Sequence, residues 1–313
     1  MKSKNIVFLG TPEFAAHILE GLIESGYNII AVISQPDKPV GRKRILMPTP
    51  TKEVALKYNL PIFQPTLLKK DYEFLKQMDI DMLITAAYGQ ILPSEVLKLA
   101  KVNNINVHAS LLPLHRGGAP IHRAIINGDS KTGVTIMEMV NKMDAGRMYA
   151  QKEVIIDKNI NTTQLFKVLQ EVGKDLLLEV LPDLLENKIE GIYQDEDKVT
   201  YSFNIKREEE KIDFNKTVAE VHNLIRGLSE VPVAYCLYKD KEMKIYSSLI
   251  HSETNDDKPV GSLKIENKNR LLVRCKDGYL EMLEIKLEGK AKMDVKSFLN
   301  GCKKEELLLE ILK

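Results

Sequence analysis

The first third of the chain repeats one pattern: a short apolar run, a polar break, then apolar positions spaced three and four apart. Ile6 to Leu9 reads as a buried strand that Gly10 ends. Pro12 and Glu13 suit the first turn of a helix, with Phe14, Ile18, Leu22 and Ile23 on one face of it. Ile29 to Ile33, Met82 to Ala86 and Val102 to Val107 are further strands, with helices over Thr51 to Tyr58, Tyr72 to Met78 and Ser94 to Leu99. Such alternation predicts an α/β fold, a doubly wound and mostly parallel sheet with helices on both faces. Ligands of such sheets sit outside the carboxyl ends of the strands.

Thr132 to Val140 and Arg147 to Ile156 read as two more strands around Asp144-Ala145-Gly146, followed by a long helix over Thr162 to Glu186 interrupted at Gly173 and Pro182. Residues 187–206 are polar with little periodicity, as a linker would be. Beyond Arg207 the texture becomes one helix near Val218 to Arg226 and then short strands, at Ala234 to Tyr238, Lys244 to Ser247, Leu271 to Cys275 and Leu280 to Leu287. The expected organisation is a first domain over 1–189, a linker over 190–206 and a β-rich domain over 207–313. A chain of 313 residues agrees with two domains.

Composition narrows the classes. Apolar residues at 44% and charged residues at 28% exclude wholesale disorder and collagen-like chains. Basic residues number 45 against 44 acidic ones, so nucleic-acid contact would need a local patch, not a global field. Cys236, Cys275 and Cys302 are odd in number and lack CxxC spacing, which argues against a disulfide framework or structural zinc and points to a reducing cytoplasm. Ile6 to Leu9 is too short an apolar run for a signal peptide, and no run approaches the roughly 18 apolar residues of a membrane helix. No membrane partner is expected.

Asn106-Val107-His108-Ala109-Ser110-Leu111-Leu112-Pro113 closes an apolar strand. Side chains alternate along a strand, so Asn106 and His108 share one face and Val107 points into the opposite layer. A carboxamide can donate to a developing oxyanion, and an imidazole can take a proton from an amine, a pairing suited to acyl transfer. The same residues also serve at strand ends merely to satisfy backbone groups. Asp144 could fix the tautomer of His108 and stabilise its cationic form, although Asp close before Gly is also ordinary turn chemistry. His108, His115 and His122 are spaced by seven, but Pro113, Gly117, Gly118 and Pro120 break any helix across them, and no metal site is expected. Gly10-Thr11-Pro12-Glu13 is not GxGxxG, which argues against a dinucleotide. Between Asp37 and Glu53 lie five basic residues and no acidic one, in a loop longer than an ordinary connection. Such a loop contacts phosphates or is simply solvated.

These residues carry a resemblance. From Phe8-Leu9-Gly10-Thr11-Pro12-Glu13-Phe14 to Gly289-Lys290-Ala291-Lys292-Met293 the chain resembles the methionyl-tRNA formyltransferase family of folate-dependent formyltransferases. The matching segments are Asn106 to Pro113, Arg116-Gly117-Gly118-Ala119-Pro120-Ile121, Asp144-Ala145-Gly146, and Gln35-Pro36-Asp37 through Gly41-Arg42 to Leu46-Met47-Pro48. The resemblance implies a Rossmann-like catalytic domain followed by an OB-like barrel. It implies formyl transfer from 10-formyltetrahydrofolate to the methionine amino group of initiator methionyl-tRNA, in support of translation initiation. It places Asn106, His108 and Asp144 in catalysis. Gly89, Gln90, Ile91, Leu92, Ser110, Leu111, Leu112 and Pro113 would line the folate, and Lys38, Arg42, Lys43 and Arg44 would meet tRNA. No metal and a cytoplasmic monomer are expected. Two alternatives remain: a formyltransferase acting on a small amine, and a noncatalytic RNA-binding protein of the same fold. The chain departs from the family in lacking Trp altogether, with His115 and Val231 at positions often occupied by it, and in having His122 for a commoner Gln.

Overall fold

The computed structural model describes residues 4–41, 44–252 and 257–313. Its contacts define two units: Met1–Pro120, Lys131–Ile155 and Phe166–Phe203 in the first; Ile121–Ser130, Ile156–Leu165 and Asn204–Lys313 in the second. The first runs β1 (Asn5–Gly10), α1 (Glu13–Glu24), β2 (Asn28–Ile33), β3 (Lys38–Val40), β4 (Ile45–Met47), α2 (Pro50–Lys57), β5 (Ile62–Phe63), β6 (Met82–Ala86), α3 (Ser94–Leu97) and β7 (Asn103–His108). After α4 (Pro120–Ile126) come β8 (Lys131–Glu138), β9 (Met148–Ile155) and α5 (Thr162–Leu185).

Seven strands form one sheet in the order β5-β2-β1-β6-β7-β8-β9. The pairs from β5 to β7 are parallel, whereas β7-β8 and β8-β9 are antiparallel. The doubly wound expectation therefore holds with an antiparallel extension. Apolar side chains go to both faces, as parallel strands covered on two sides require. Val7, Leu9, Ala31, Ile33 and Leu83 pack with Leu75, Leu92 and Val96 on one. On the other, Gly173 of α5 lies against Phe14, Val107 and Val134.

Several local readings change. The expected helix over Tyr72 to Met78 is a 3-10 segment, Glu73–Gln77, and α3 ends at Leu97. Helix α5 runs unbroken through Gly173 and Pro182, because its packing against the sheet outweighs weak local propensity. The long basic loop contains the hairpin β3-β4, whose three-residue strands are too short to show a period. Helix α2 begins where Thr49 accepts the Lys52 N–H at 3.2 Å and Pro50 occupies the first turn.

The second unit contains α6 (Val218–Gly227), β10 (Tyr235–Tyr238), β11 (Lys241–Ser252), β12 (Leu263–Glu266), β13 (Arg270–Arg274), β14 (Tyr279–Leu287), β15 (Met293–Asp294), α7 (Val295–Asn300) and α8 (Lys304–Leu307). A capping box starts α6: Thr217 accepts the Glu220 N–H at 3.2 Å, and Glu220 accepts that of Thr217 at 2.9 Å. The antiparallel order is β10-β11-β14-β13-β12, with β15 on β14. The final residues join its two edges. Ser262 bridges Ile311, while Leu237 and Lys313 exchange backbone hydrogen bonds of 2.7 and 3.2 Å. This pairing ties the two ends of the sheet together through residues 311–313, as in an OB-like barrel. Val221 and Ile225 of α6 pack with Ile245, Leu271, Leu280 and Ile285 in its core. Among the described residues no helix is long and apolar enough to cross a membrane.

Leu83→Ala, in the fully buried centre of β6, is expected to destabilise the first unit by about 2–5 kcal/mol. A lower urea midpoint for that unit is the readout.

Candidate active site

Strand β7 ends at the carboxyl edge of the parallel strands, with Asn106 and His108 about 7 Å apart along one face. Thr85, buried on the neighbouring β6, donates its hydroxyl hydrogen to Asn106 Oδ1 at 2.9 Å. The carboxamide is thereby turned so that Nδ2 has no partner among the described residues and remains a donor. Thr85 went unnoticed in the sequence because a β-branched residue in an apolar strand reads as core.

His108 is 6% exposed, and its Nε2 lies 3.0 Å from the carbonyl oxygen of His115. A carbonyl only accepts, so Nε2 carries the hydrogen and Nδ1 holds the lone pair of the neutral ring. Nδ1 faces Asp144, whose Oδ2 is 3.8 Å away. That distance is outside hydrogen-bond range. The tautomer is set by the His115 carbonyl, whereas the sequence pointed to Asp144 for that task. Asp144 stands opposite the other ring nitrogen.

The carboxylate is held in turn. Gly117 N–H donates to Asp144 Oδ2 at 2.8 Å. Gly117 has φ +122°, and a Cβ there would meet the Ser202 carbonyl oxygen at 2.7 Å, so only glycine brings this amide to the carboxylate. A Cβ on Gly146 would lie 1.9 Å from the Glu138 carbonyl, so the turn after Asp144 also requires glycine. The Arg116-Gly117-Gly118 run was visible as a motif, but its role was not. His108, His115 and His122 fall on a strand, a loop and a helix, and the described residues contain no group of three or more His, Cys, Asp or Glu able to hold a metal.

The two segments proposed for folate behave differently. Gly89 is exposed at φ +87°, and Ile91 is 73% exposed. Gln90 is anchored through Leu68 N–H at 2.8 Å and the Thr66 carbonyl at 3.2 Å, and Leu92 is buried. The backbone groups of Gly89, Gln90 and Ile91 bond to no described residue, leaving donors and acceptors beside an apolar side chain. In the other segment Ser110 N–H bonds the His108 carbonyl, and Thr135 Oγ1 bonds the Ser110 carbonyl and the Leu112 N–H. Gln151 Nε2 donates to the Leu112 carbonyl at 2.8 Å. The backbone of Ser110 and Leu112 is thus engaged within the protein, and this segment offers chiefly side-chain surface. Leu111, Leu112 and Pro113 line a groove of about 750 Å3 together with Gln151, Lys198 and Thr200.

Of the basic candidates, Lys38 and Arg44 are exposed, Arg44 at φ +48° in the β3-β4 turn, while Arg42 and Lys43 lie outside the described residues. Asp37, at the foot of the hairpin, accepts from Gln64 at 2.7 Å and Lys52 at 2.6 Å, and these bonds hold its carboxyl below the usual range.

Residues 4–181 match the family described as formyl transferase, and residues 204–303 match the formyl transferase C-terminal domain. The structure is also similar to WlaRD, a sugar 3N-formyl transferase crystallised in the presence of dTDP and 5-N-formyl-THF. That likeness has a TM-score of 0.67 at 20% identity, over 93% of this chain and 100% of the other, and is one of fold. The methionyl-tRNA formyltransferase of Lactobacillus johnsonii is 47% identical over 300 residues, 95% of each chain. That of Enterococcus faecalis is 45% identical over 299 residues, again 95% of each. The chain belongs to the methionyl-tRNA formyltransferase family.

Neutral His108 is expected as the Nε2–H tautomer. The 15N shifts of its ring nitrogens check this, and a dominant Nδ1–H form would contradict the geometry.

Proposed function

We propose that this protein transfers the formyl group of 10-formyltetrahydrofolate to the free amino group of methionine on initiator methionyl-tRNA. The observation that carries the proposal is His108 Nδ1 facing Asp144 Oδ2 at 3.8 Å, on the strand whose Asn106 presents a free amide donor. Identities of 44–47% to relatives named methionyl-tRNA formyltransferase support the choice of substrate.

The bound folate supplies an activated formyl carbonyl. Gly89 to Leu92 suit its ring system, since open backbone groups there stand beside Ile91, and Ser110 to Pro113 add apolar cover. Asn106 Nδ2 donates to the formyl oxygen as the amine attacks and charge develops on it. His108 Nδ1 takes the proton that the methionine nitrogen loses on forming its bond to the formyl carbon. Asp144 stabilises the resulting imidazolium. As the bond from formyl carbon to donor nitrogen breaks, His108 returns the proton to that nitrogen, and the ring is neutral again. No metal enters this scheme.

Lys38, Arg42, Lys43 and Arg44 are proposed to meet the tRNA backbone, with the closed β-sheet unit as a second support. A protein with this substrate works as a cytoplasmic enzyme, and we infer a monomer.

Asn106→Ala should lower kcat about 100- to 1,000-fold in formylation of charged initiator tRNA, the scale for one lost oxyanion donor. A wild-type protein that formylates a small amino sugar but not methionyl-tRNA would overturn the substrate assignment. Lys38→Ala and Arg44→Ala should each weaken tRNA binding and reduce its salt slope by about one, read from binding at several salt concentrations.

A further inference from the structure

We propose that residues 192–202 are a positioning strap that sets His108 against Asp144 from both sides, with Gln194 and Thr200 as its positioning residues. The inference rests on the reaction proposed above.

One end of the strap pairs with the chain just after Asp144. Met148 and Ile192 exchange backbone hydrogen bonds of 2.8 Å each way. The other end pairs with the chain just after His115: Arg116 N–H donates to the Thr200 carbonyl at 2.9 Å, and Ser202 N–H to the Arg116 carbonyl at 2.7 Å. The strap therefore joins the loop that carries Asp144 to the loop whose His115 carbonyl meets the His108 ring.

Gln194 is 9% exposed, and its Nε2 donates to the carbonyls of both Asp144 and Gly146 at 2.8 Å. Its Oε1 accepts from Arg116 Nε at 3.0 Å and Nη2 at 2.8 Å. Arg116 is fully buried and also donates through Nη2 to Glu196 at 2.7 Å, whose second oxygen receives Lys142 Nζ at 2.7 Å. Arg116 and Lys142 hold the Glu196 carboxyl down to about 2, so this tie is charged at any working pH. Asp144 is thus fixed on its backbone by Gln194 and on its side chain by Gly117. On the opposite side, Thr200 Oγ1 accepts the His115 N–H at 2.8 Å, and Ser202 Oγ lies 2.7 Å from His115 Nδ1. His115 in turn supplies the carbonyl that fixes the His108 ring. Asp144 and His115 both adopt positive φ, at 48° and 60°, in the left-handed region that Asp and His enter more readily than most non-glycine residues.

Neither strap residue touches the reacting atoms, so each acts through geometry. Gln194→Glu tests this, because a carboxylate still accepts from Arg116 but cannot donate to the Asp144 and Gly146 carbonyls. We expect kcat to fall about 10- to 100-fold with both KM values within about twofold, the scale of a displaced reacting group. Thr200→Val, at an exposed position, should show the same split, and Thr200→Ser should restore kcat. A residue that merely supports the fold predicts wild-type kcat for Gln194→Glu, since the partner of the buried guanidinium is kept. Hydrogen exchange of the folded Gln194→Glu protein should also rise about tenfold or more at amides 143–146. Unchanged kcat in Gln194→Glu and Thr200→Val, or unchanged exchange at 143–146, would overturn the strap. Failure of the wild-type protein to formylate methionyl-tRNA would overturn the proposed reaction instead, with the exchange measurement still deciding whether Gln194 holds the loop.

Discussion

The hydrogen bond from His108 Nε2 to the His115 carbonyl decides which ring nitrogen is available for chemistry. Once that N–H is committed, the lone pair of the neutral ring points toward Asp144, whose carboxylate stands 3.8 Å away. In a serine-protease triad the carboxylate accepts the Nδ1 hydrogen and the base is Nε2. Here the order along the ring is reversed, with a backbone carbonyl doing the orienting. A carbonyl is an economical choice for that role, since it cannot be protonated and adds no charge beside the imidazole.

The loops on either side of this bond also depend on two glycines. Gly117 and Gly146 stand where a Cβ would strike the carbonyls of Ser202 and Glu138. The loops they shape are long-range neighbours, brought together because β7 and β8 are adjacent in the sheet. The antiparallel turn from parallel β7 into β8 and β9 is what carries Asp144 to the edge where His108 ends. A purely parallel continuation would need a crossover between successive strands, so the β8-β9 connection would not be the short turn that bears Asp144.

Legibility in the sequence followed the range of the interactions. Ile6 to Leu9 and Met82 to Ala86 are apolar runs that only a doubly covered sheet accommodates, so their strands could be read directly. Period-two alternation was enough to put Asn106 and His108 on one face. Asp144 could be read either as a turn residue or as a partner of His108, and spacing alone could not decide, because that partner lies 36 positions away. Gln194 was invisible for a different reason: it bonds to backbone carbonyls, which every residue has, from a polar stretch with no period to mark it. The 3-10 segment at Glu73–Gln77 and the unbroken α5 show the opposite limit, where packing overrides local propensity.

The same physics separates a rigid part of the molecule from an accessible one. Around His108 polar groups are bonded to one another, so their geometry is set before any ligand arrives. On the β3-β4 hairpin the balance is reversed, with Ile45, Leu46 and Met47 at 57%, 63% and 45% exposure beside Arg44. A two-stranded hairpin is marginal by itself, and among the described residues its foot is secured through Asp37 with Gln64 and Lys52 and through Ser34 with Thr49. Apolar side chains left in water beside cations favour a large anionic partner that can cover both at once, because burying the one and neutralising the other then draw on the same contact.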